Sequence, residues 1–193
     1  MKLKKLALVL TGALVSLSLL GCGAGGDQAK QASKLRVGAS IDFAPFEFQD
    51  EGQKDYQGFD MDLIRAVAKE MGSEAEIQNI GFDGLIPALQ AKNIDVIISG
   101  MTINDERKEK VAFSDPYYQS GLTMVVRSDE ENIKSFSDLK GHKVAAQIGT
   151  TGAKMAKEME GVTVSELNTP ADCFMELKAG GVDALINDRP VND

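Results

Sequence analysis

The chain has 193 residues, of which 43% are hydrophobic and 26% charged, and this is the composition of a folded globular protein. Its formal charge of −8 argues against a nucleic-acid partner, because nucleic-acid binders present a basic face. The two cysteines lie far apart and exclude a disulfide scaffold and a cysteine-rich zinc module, while the single histidine argues against histidine-based metal chemistry. The composition therefore predicts neither a metal nor a cofactor.

The start of the chain has the pattern of a secretion signal. Lysines precede an apolar run over residues 6–20, which is shorter than the roughly 20 residues of a membrane span. The run ends in Leu19-Leu20-Gly21-Cys22, which resembles a bacterial lipobox. We expect residues 1–21 to be a lipoprotein signal peptide, Cys22 to be lipidated and residues 22–34 to be a flexible tether. The alternative is an ordinary signal peptide with a chance cysteine.

The sequence after the tether contains no second apolar span. We therefore expect the folded part to lie outside the cytoplasm, at the cell surface or in the periplasm, and to be attached to the membrane only through the lipid. The remaining cysteine, Cys173, lies in an apolar helical pattern and is expected to be a small buried hydrophobic residue.

Strand and helix patterns alternate from residue 35 onward. Short apolar runs predict strands at residues 35–39, 75–80, 94–99, 121–127, 143–147, 162–167 and 182–186. Apolar residues at helical spacing predict helices at residues 61–71, 84–91, 104–110, 149–160 and 170–179. The expected N-caps include Asp60, Asp83 and Thr169, and strand 94–99 is expected to be buried on both faces. Strands separated by helices predict parallel sheets in an α/β fold.

A weak internal repeat indicates two similar lobes. Residues 89–100 can be laid over residues 177–188 with Leu, Ala, Asp and Ile at identical places, and each copy reads as a helix end, a turn and a strand. Chance similarity between such units is the alternative. In open α/β sheets a ligand binds beyond the carboxyl ends of the strands, so two facing lobes predict a cleft between them.

The residues at these strand ends have charges that suit an α-amino acid. Arg107 carries a planar guanidinium that matches a carboxylate. Thr150 and Thr151 lie at a predicted helix N-terminus, which favours an anion. Asp188 has the opposite charge and suits an ammonium group. A carboxylate site beside an ammonium site predicts an amino-acid receptor.

Each of these residues also has a simpler interpretation. Arg107 lies in a charged run that is typical of a solvated helix face. The Gly-Thr-Thr-Gly stretch at residues 149–152 is a common turn before a helix, and Asp188 is able to cap the segment that follows it. Phe43 and Phe82 fit equally well into a hydrophobic core.

An ordered set of short motifs resembles one protein family. The motifs are Ala-Pro-Phe-Glu-Phe at 44–48, Gly-Phe-Asp-Met-Asp-Leu at 58–63, Gly-Leu-Ile-Pro-Ala-Leu at 84–89, Thr-Ile-Asn-Asp-Glu-Arg at 102–107, Phe-Ser-Asp-Pro-Tyr-Tyr at 113–118 and Gln-Ile-Gly-Thr-Thr-Gly at 147–152. Together they resemble solute-binding family 3, the polar amino-acid binding proteins of bacterial ABC importers. The resemblance implies a two-lobed periplasmic-binding fold of type II that closes on its ligand by hinge motion, with lobe 1 at residues 35–118 and lobe 2 at residues 119–193.

The same resemblance implies how the head of an amino acid would be held. Arg107 and the N–H groups of Thr102 and Thr151 would bind the α-carboxylate. Asp188 and the carbonyl group of Ser99 would bind the α-ammonium group.

Phe43 and Phe82 would flank the ligand side chain, and Ser40, Gln147 and Asn187 are candidates to contact its far end. Gly100 and Thr150 complete the implied ligand-binding set. Gln147 and Asn187 are neutral amides where relatives often carry charged or imidazole groups. Because no unpaired cation is available for a second carboxylate, glutamine and basic amino acids are favoured over glutamate and aspartate.

Family members continue for tens of residues beyond the equivalent of Asp193. The resemblance therefore implies a C-terminally truncated chain, in which the end of lobe 2, the return crossing and the last piece of lobe 1 are missing. We expect an unpaired sheet edge and uncovered apolar surface on lobe 1. The expected function is binding without catalysis, with a free amino acid and the permease of an ABC importer as partners. The alternatives are the sensing domain of a membrane receptor and a periplasmic enzyme on the same fold.

Overall fold

The first of two sheets organises the N-terminal half of the chain in the computed structural model, which describes residues 33–192. This sheet has the order β2-β1-β3, and its strands are parallel. Its elements are β1 (Ser33–Ala39), α1 (Phe59–Glu70), β2 (Ser73–Asn79), α2 (Leu85–Gln90), β3 (Val96–Ile97) and α3 (Asp105–Lys108).

The second sheet has the order β4-β7-β5-β6, in which β4 runs antiparallel to β7 and the other pairs are parallel. Its elements are β4 (Leu122–Val126), β5 (Lys143–Gln147), α4 (Thr151–Glu158), β6 (Thr163–Leu167), α5 (Pro170–Lys178), β7 (Ala184–Asp188) and α6 (Arg189–Asn192). The predicted α/β fold with two small, mostly parallel sheets is confirmed. The division between the lobes at residue 118 stays a prediction.

Each sheet is held by apolar residues at strand spacing. In the first sheet Val37 is fully buried against Met61 and Ile64 of α1. In the second sheet β5 is covered on both faces, because Val144 packs into one cluster and its neighbour Ala145 into another.

Cys173 belongs to the cluster around Ala145 and is 2% exposed. Burial raises the pKa of its thiol to about 11, so the thiol stays protonated at neutral pH. The prediction of a buried small residue is confirmed.

Two of the predicted helix caps are wrong. Helix α1 begins at Phe59 with Gly58 as N-cap, whereas Asp60 is fully buried and accepts hydrogen bonds from the Gly100 N–H at 3.0 Å and the Tyr117 hydroxyl at 2.9 Å. The Asp60 carboxylate therefore binds residues distant in the chain and does not cap helix α1.

Asp83 lies inside a 3-10 turn at Phe82–Gly84, and Gly84 is the N-cap of α2. Thr169, in contrast, caps α5 as predicted, because its side chain accepts a hydrogen bond from the Asp172 N–H at 3.1 Å. The partners of Asp60 are distant in the chain, whereas the 3-10 turn that contains Asp83 is closed locally by a hydrogen bond from the Gly84 N–H to the Gly81 carbonyl at 2.8 Å.

The predicted strand 94–99 is paired only at Val96–Ile97, and both residues are half-buried. Its one strand partner among residues 33–192 is β1, so its outer edge has no neighbouring strand there. Ile94, Ile98 and Ser99 are buried, whereas Val96 and Ile97 are half-buried, so the expected burial on both faces is met only in part. The unpaired edge and uncovered apolar surface expected of a truncated chain stay predictions.

The internal repeat corresponds to a repeated structural unit. Asp95 accepts a hydrogen bond from the Arg36 N–H at 2.9 Å and donates its own N–H to the Arg36 carbonyl at 2.8 Å. Its counterpart Asp183 does the same with Lys143, at 2.8 Å in both directions. In each sheet the repeat therefore attaches a helix–turn–strand unit to the neighbouring strand.

The two copies differ at the residue after the helix. Both helices end in a Schellman motif, in which the Lys92 N–H donates to Leu89 at 3.0 Å and the Gly180 N–H donates to Leu177 at 3.1 Å. This motif needs a positive φ, which is 60° at Lys92 and 77° at Gly180. Only the second copy has the residue that adopts this conformation without strain.

The predicted signal peptide and Cys22 lie outside the described residues. Only the last two residues of the predicted tether, Ser33 and Lys34, lie within the described residues. Both belong to strand β1, so the prediction of a flexible segment is wrong for these two residues. Within residues 33–192 no helix is long and apolar enough to cross a bilayer.

We predict that Lys92→Gly stabilises the protein by about 0.5–1 kcal/mol, because it removes the strain of a left-handed lysine. The matched change Gly180→Ala places a side chain in the same conformation and is expected to destabilise by about 1 kcal/mol. Urea unfolding of both variants checks the pair, and a Lys92→Gly variant less stable than the wild type contradicts the expectation.

Candidate functional site

The cleft between the two sheets lies beyond the carboxyl ends of β1, β3, β5 and β7. The predicted site residues that line it are Phe43, Phe82, Ser99, Gly100, Thr102, Arg107, Gln147, Thr150, Thr151 and Asp188. Two further lining residues, Asp42 and Glu47, were not among the predicted set. The structure thus brings together residues that are separated by more than one hundred positions in the chain.

Arg107 is a buried cation between the lobes. Helix α3 is capped by the Asn104 side chain, which accepts a hydrogen bond from the Arg107 N–H at 2.9 Å. The side chain of Arg107 itself lines the cleft. The guanidinium donates to the carbonyl oxygens of Thr102 at 2.8 Å and Gly149 at 3.0 Å, and it lies 5.4 Å from the centre of the Phe82 ring.

The environment of Arg107 excludes the solvated-face interpretation. Arg107 is 7% exposed, whereas the side chain of the next residue, Lys108, is 57% exposed. Burial lowers the pKa of Arg107, and among residues 33–192 no carboxylate forms an ion pair with it. A buried guanidinium whose hydrogen bonds go only to neutral carbonyl groups is able to bind a carboxylate from a ligand.

Asp188 supplies the opposite charge at the end of β7. Its Oδ1 accepts a hydrogen bond from the Ser120 hydroxyl at 2.9 Å, and burial raises the pKa of its carboxyl group. Within the described part of the chain no lysine or arginine lies at ion-pair distance from it. The attraction of Arg107 opposes the effect of burial, so both charges act in the same cleft.

Gln147 connects the two lobes at the side of the cleft near β1. Its amide nitrogen donates to the carbonyl oxygen of Asn168 at 3.0 Å and to Oδ2 of Asp42 at 3.2 Å. Burial raises the pKa of Asp42, and hydrogen bonds from Ser40 and Gln147 oppose that shift. The sequence signal that would have found Asp42 is its place just after β1, beyond the carboxyl end of a parallel strand.

Ser40 and Asn187 are buried behind the cleft wall and do not line the cleft. Ser40 is 3% exposed, and its N–H donates to the Ser99 hydroxyl at 2.9 Å. Asn187 is 9% exposed, and its side-chain nitrogen has no hydrogen-bond partner among residues 33–192. Their contact with the far end of a ligand stays a prediction.

Glu47 and Asp60 form a buried acidic pair beneath the end of β3. Both are fully buried, and Glu47 accepts a hydrogen bond from the Ser99 hydroxyl at 2.8 Å. Burial, and then the negative charge of Asp60, raise the pKa of Glu47 to about 10. Glu47 Oε2 and Asp60 Oδ1 have no hydrogen-bond partner among the other described residues. A proton on Glu47 lets these two carboxyl groups share a hydrogen bond and removes one of the two negative charges.

The cleft is nearly closed in this structure. Its enclosed space of about 10 Å³ suffices for a single water molecule. Contacts across it join Arg107 to Gly149, and Lys154 to Glu106 at 3.0 Å. Gly149 has a φ of 78°, and a Cβ there would lie 3.0 Å from the Cβ of Asp83. An amino acid therefore enters only if the lobes separate or the lining side chains move.

A larger groove of about 750 Å³ runs along the outer edge of β3. Its walls are mainly apolar, with Leu89, Val96, Ile97 and Val111 among them. It shares six lining residues with the cleft, namely Phe43, Ser99, Gly100, Thr102, Thr151 and Asp188. Arg107 and Asp42 line the cleft and do not line this groove. We assign the polar ligand site to the cleft for that reason.

Comparison with known proteins identifies the family. The sequence model of the bacterial extracellular solute-binding proteins, family 3, matches residues 35–168. The chain belongs to this family. The two-lobed fold implied by the sequence motifs is thereby confirmed, as solved members with this fold superpose on the chain.

Family 3 relatives of known ligand include several arginine-binding proteins. The chain is 37% identical over 188 residues to the arginine-binding extracellular protein ArtP of Bacillus subtilis, and 36% identical over 165 residues to ABC transporter arginine-binding protein 1 of Escherichia coli. It is 35% identical over 165 residues to the L-cystine-binding protein TcyJ of Escherichia coli. These alignments cover 95%, 84% and 84% of the chain, but 72%, 66% and 62% of the relatives.

The solved structures that are similar to this chain include proteins bound to arginine and to glutamine. An ancestral arginine-binding protein bound to arginine superposes with a TM-score of 0.81 at 45% identity, over 84% of this chain and 73% of the other. An ancestral arginine-binding protein bound to glutamine superposes with a TM-score of 0.79 at 46% identity, over 82% of this chain and 71% of the other. An ancestral amino acid-binding protein described as a precursor of cyclohexadienyl dehydratase superposes with a TM-score of 0.78 at 45% identity, over 82% of this chain and 71% of the other.

Metal ligands do not cluster in the described part of the chain. Across residues 33–192 no group of three or more His, Cys, Asp or Glu side chains is arranged to hold a metal ion.

We predict that stability falls as pH rises, because Glu47 has a pKa of about 10 when folded and a normal carboxyl pKa of 4.5 when unfolded. The protonated carboxyl group of Glu47 contributes fully to the free energy of unfolding below pH 4.5, and this contribution is lost progressively as the pH rises towards 10. Glu47→Gln keeps an acceptor for Ser99 and a donor for Asp60 without titrating, so its stability is expected to fall less between pH 5 and pH 9, by on the order of 1 kcal/mol or more.

Chemical denaturation at pH 5, 7 and 9 measures this difference. Glu51→Gln, at an exposed position in the same lobe, is the control and is expected to follow the wild type. Parallel pH profiles for wild type and Glu47→Gln would show that the Glu47 proton is not part of the fold.

Proposed function

We propose that the protein binds a polar amino acid outside the cytoplasm, glutamine or a basic amino acid, and delivers it to the permease of an ABC importer. The observation that carries this proposal is the pair of opposite charges in one cleft, the buried Arg107 and the partly buried Asp188. Because each has no ion-pair partner in residues 33–192, a zwitterion satisfies both at once. The arginine- and cystine-binding relatives support this interpretation.

The α-carboxylate is placed against Arg107 and the start of α4. The first N–H groups of this helix have no partner within the helix, so Thr151 presents a donor and a positive dipole end to the cleft. The Thr150 hydroxyl caps the helix by accepting from the Ala153 N–H at 3.2 Å. Its role is thus to fix the helix end that faces the ligand.

The α-ammonium group is placed against Asp188 and the Ser99 carbonyl. Glu47 lies beneath Ser99 and holds its hydroxyl, while Asp60 holds the Gly100 N–H. The acidic pair therefore fixes the strand end that presents the carbonyl. The exposed face of Phe43 and the ring of Phe82 remain for the ligand side chain.

We infer that the protein binds without catalysis. One similar structure is an ancestor of a dehydratase, and such an enzyme needs an acid that reaches its substrate. Among the carboxyl groups of the cleft, Glu47 has the most strongly raised pKa, but it is fully buried, and its proton is used by Asp60. An acid in that position supports the walls of a binding site and transfers no proton to a ligand.

We also propose that the protein is a lipoprotein anchored through Cys22 to the outer face of the cell membrane. The support is the lipobox at residues 19–22 and the short apolar run before it. Mass spectrometry of the membrane fraction checks this proposal. A mature N-terminus without lipid, or one that begins elsewhere, contradicts it.

We predict that Arg107→Ala weakens binding of every amino acid ligand about equally, because Arg107 contacts only the head group that all of them share. Removing one member of a buried charge pair costs about 3–5 kcal/mol. Affinity should therefore fall about 10²-fold to 10³-fold or more in calorimetric titrations with arginine and glutamine.

Lys108→Ala is the matched control, since it removes the neighbouring cation on the exposed side of α3 and is expected to change affinity by less than about twofold. If Arg107→Ala binds within about threefold of the wild type, the carboxylate is held elsewhere and the proposed site is wrong.

A further inference from the structure

We propose that Asp42 is the counter-ion for a cation at the end of the ligand side chain, and that it selects basic amino acids over neutral ones. This inference rests on the amino-acid-binding function proposed above. It goes beyond that function, because the head-group contacts of Arg107 and Asp188 are the same for every amino acid.

The position of Asp42 suits contact with the far end of a ligand. It follows β1 and lines the same cleft as Arg107 and Asp188, on a different strand end from either. Its Oδ2 accepts a hydrogen bond from Gln147 on the opposite lobe at 3.2 Å. A ligand whose head lies between Arg107 and Asp188 therefore extends its side chain towards the wall formed by Asp42 and Gln147.

The contacts of Asp42 leave its charge without a partner. Its hydrogen bonds come from a neutral amide, Gln147, and a neutral hydroxyl, Ser40. The other charged group that acts on it is Asp172, which is also acidic. Among residues 33–192 no lysine, arginine or histidine lies at ion-pair distance from it. A partly buried carboxylate in these surroundings gains free energy when a cation binds beside it.

The balance of charges in the cleft favours a basic ligand. The described lining residues provide one cation, Arg107, and two carboxylates, Asp188 and Asp42, while Glu47 is neutral because of its raised pKa. A basic amino acid carries the complementary set of one carboxylate and two cations. Glutamine leaves the charge of Asp42 unpaired, and glutamate adds a further negative charge beside it.

Because Asp42 accepts a hydrogen bond from Gln147 on the other lobe, it also has a structural role. The experiment has to separate this role from the effect of its negative charge. Asp42→Asn retains an oxygen that accepts from Gln147 but removes the negative charge. L-Arginine and L-citrulline provide the matching ligand pair, because they have the same length and differ in whether the end group is charged.

The test is calorimetric titration of the full chain with L-arginine and L-citrulline. The wild type is expected to prefer arginine, and Asp42→Asn is expected to lower arginine affinity about tenfold to hundredfold while citrulline affinity changes by less than about threefold. Asp42→Glu keeps the charge and should retain the preference. Asp50→Asn, the same substitution at an exposed position in the same lobe, should alter neither ligand.

Two results would overturn the inference alone. The first is an arginine-to-citrulline affinity ratio in Asp42→Asn that equals that of the wild type; an equal fall of both affinities belongs to this result and shows a structural link between the lobes. A wild type that binds glutamine but no basic amino acid also overturns it and leaves the proposed function intact. A wild type that binds no amino acid overturns both. If Asp42→Asn does not melt cooperatively, Asp42→Ser replaces it.

Discussion

The arrangement of the site depends on one buried guanidinium. Arg107 has lost most of its water and has no carboxylate among the described residues, so carbonyl groups from both lobes and the face of Phe82 stabilise it. The Asn104 cap sets its direction, and the close approach of Gly149 brings the second lobe to it. A cation in this position supports the proposal that the cleft binds an anion, and its hydrogen bond to the Gly149 carbonyl joins the two lobes.

The acidic groups around Arg107 divide into two kinds. Asp188 and Asp42 line the cleft and are available to ligand cations. Glu47 and Asp60 lie beneath the strand end, where the raised pKa of Glu47 avoids a second buried negative charge beside Asp60. This division explains how an acidic protein builds a rigid cleft wall from carboxyl groups without repelling an amino acid carboxylate.

The sequence predicted most elements of the fold because their signals are local. Apolar runs such as residues 143–147 and the Thr169 cap appear in the structure where the pattern placed them. Asp60 was mistaken for a cap because it has the residue type and spacing of one. Its partner Gly100 is 40 positions away, and no local pattern contains that contact.

The site was predictable to the extent that charge and topology decide it. Arg107 and Asp188 follow strand ends and carry opposite charges, so they were found together. Asp42 was missed, since its significance depends on Gln147, which is 105 positions away, and on the absence of a cation in the described residues around it. Ser40 was expected at the ligand; it is buried and its N–H donates to the Ser99 hydroxyl, and its contact with a ligand stays a prediction. Burial and distant pairing are the information that the sequence lacked.

A crystal structure of the protein with bound L-arginine tests the account most directly. We expect the ligand carboxylate to contact Arg107 and the Thr151 N–H, its ammonium group to contact Asp188, and the lobes to enclose it. A ligand found in the apolar groove beside β3, or bound in the cleft with its carboxylate away from Arg107, would contradict the account.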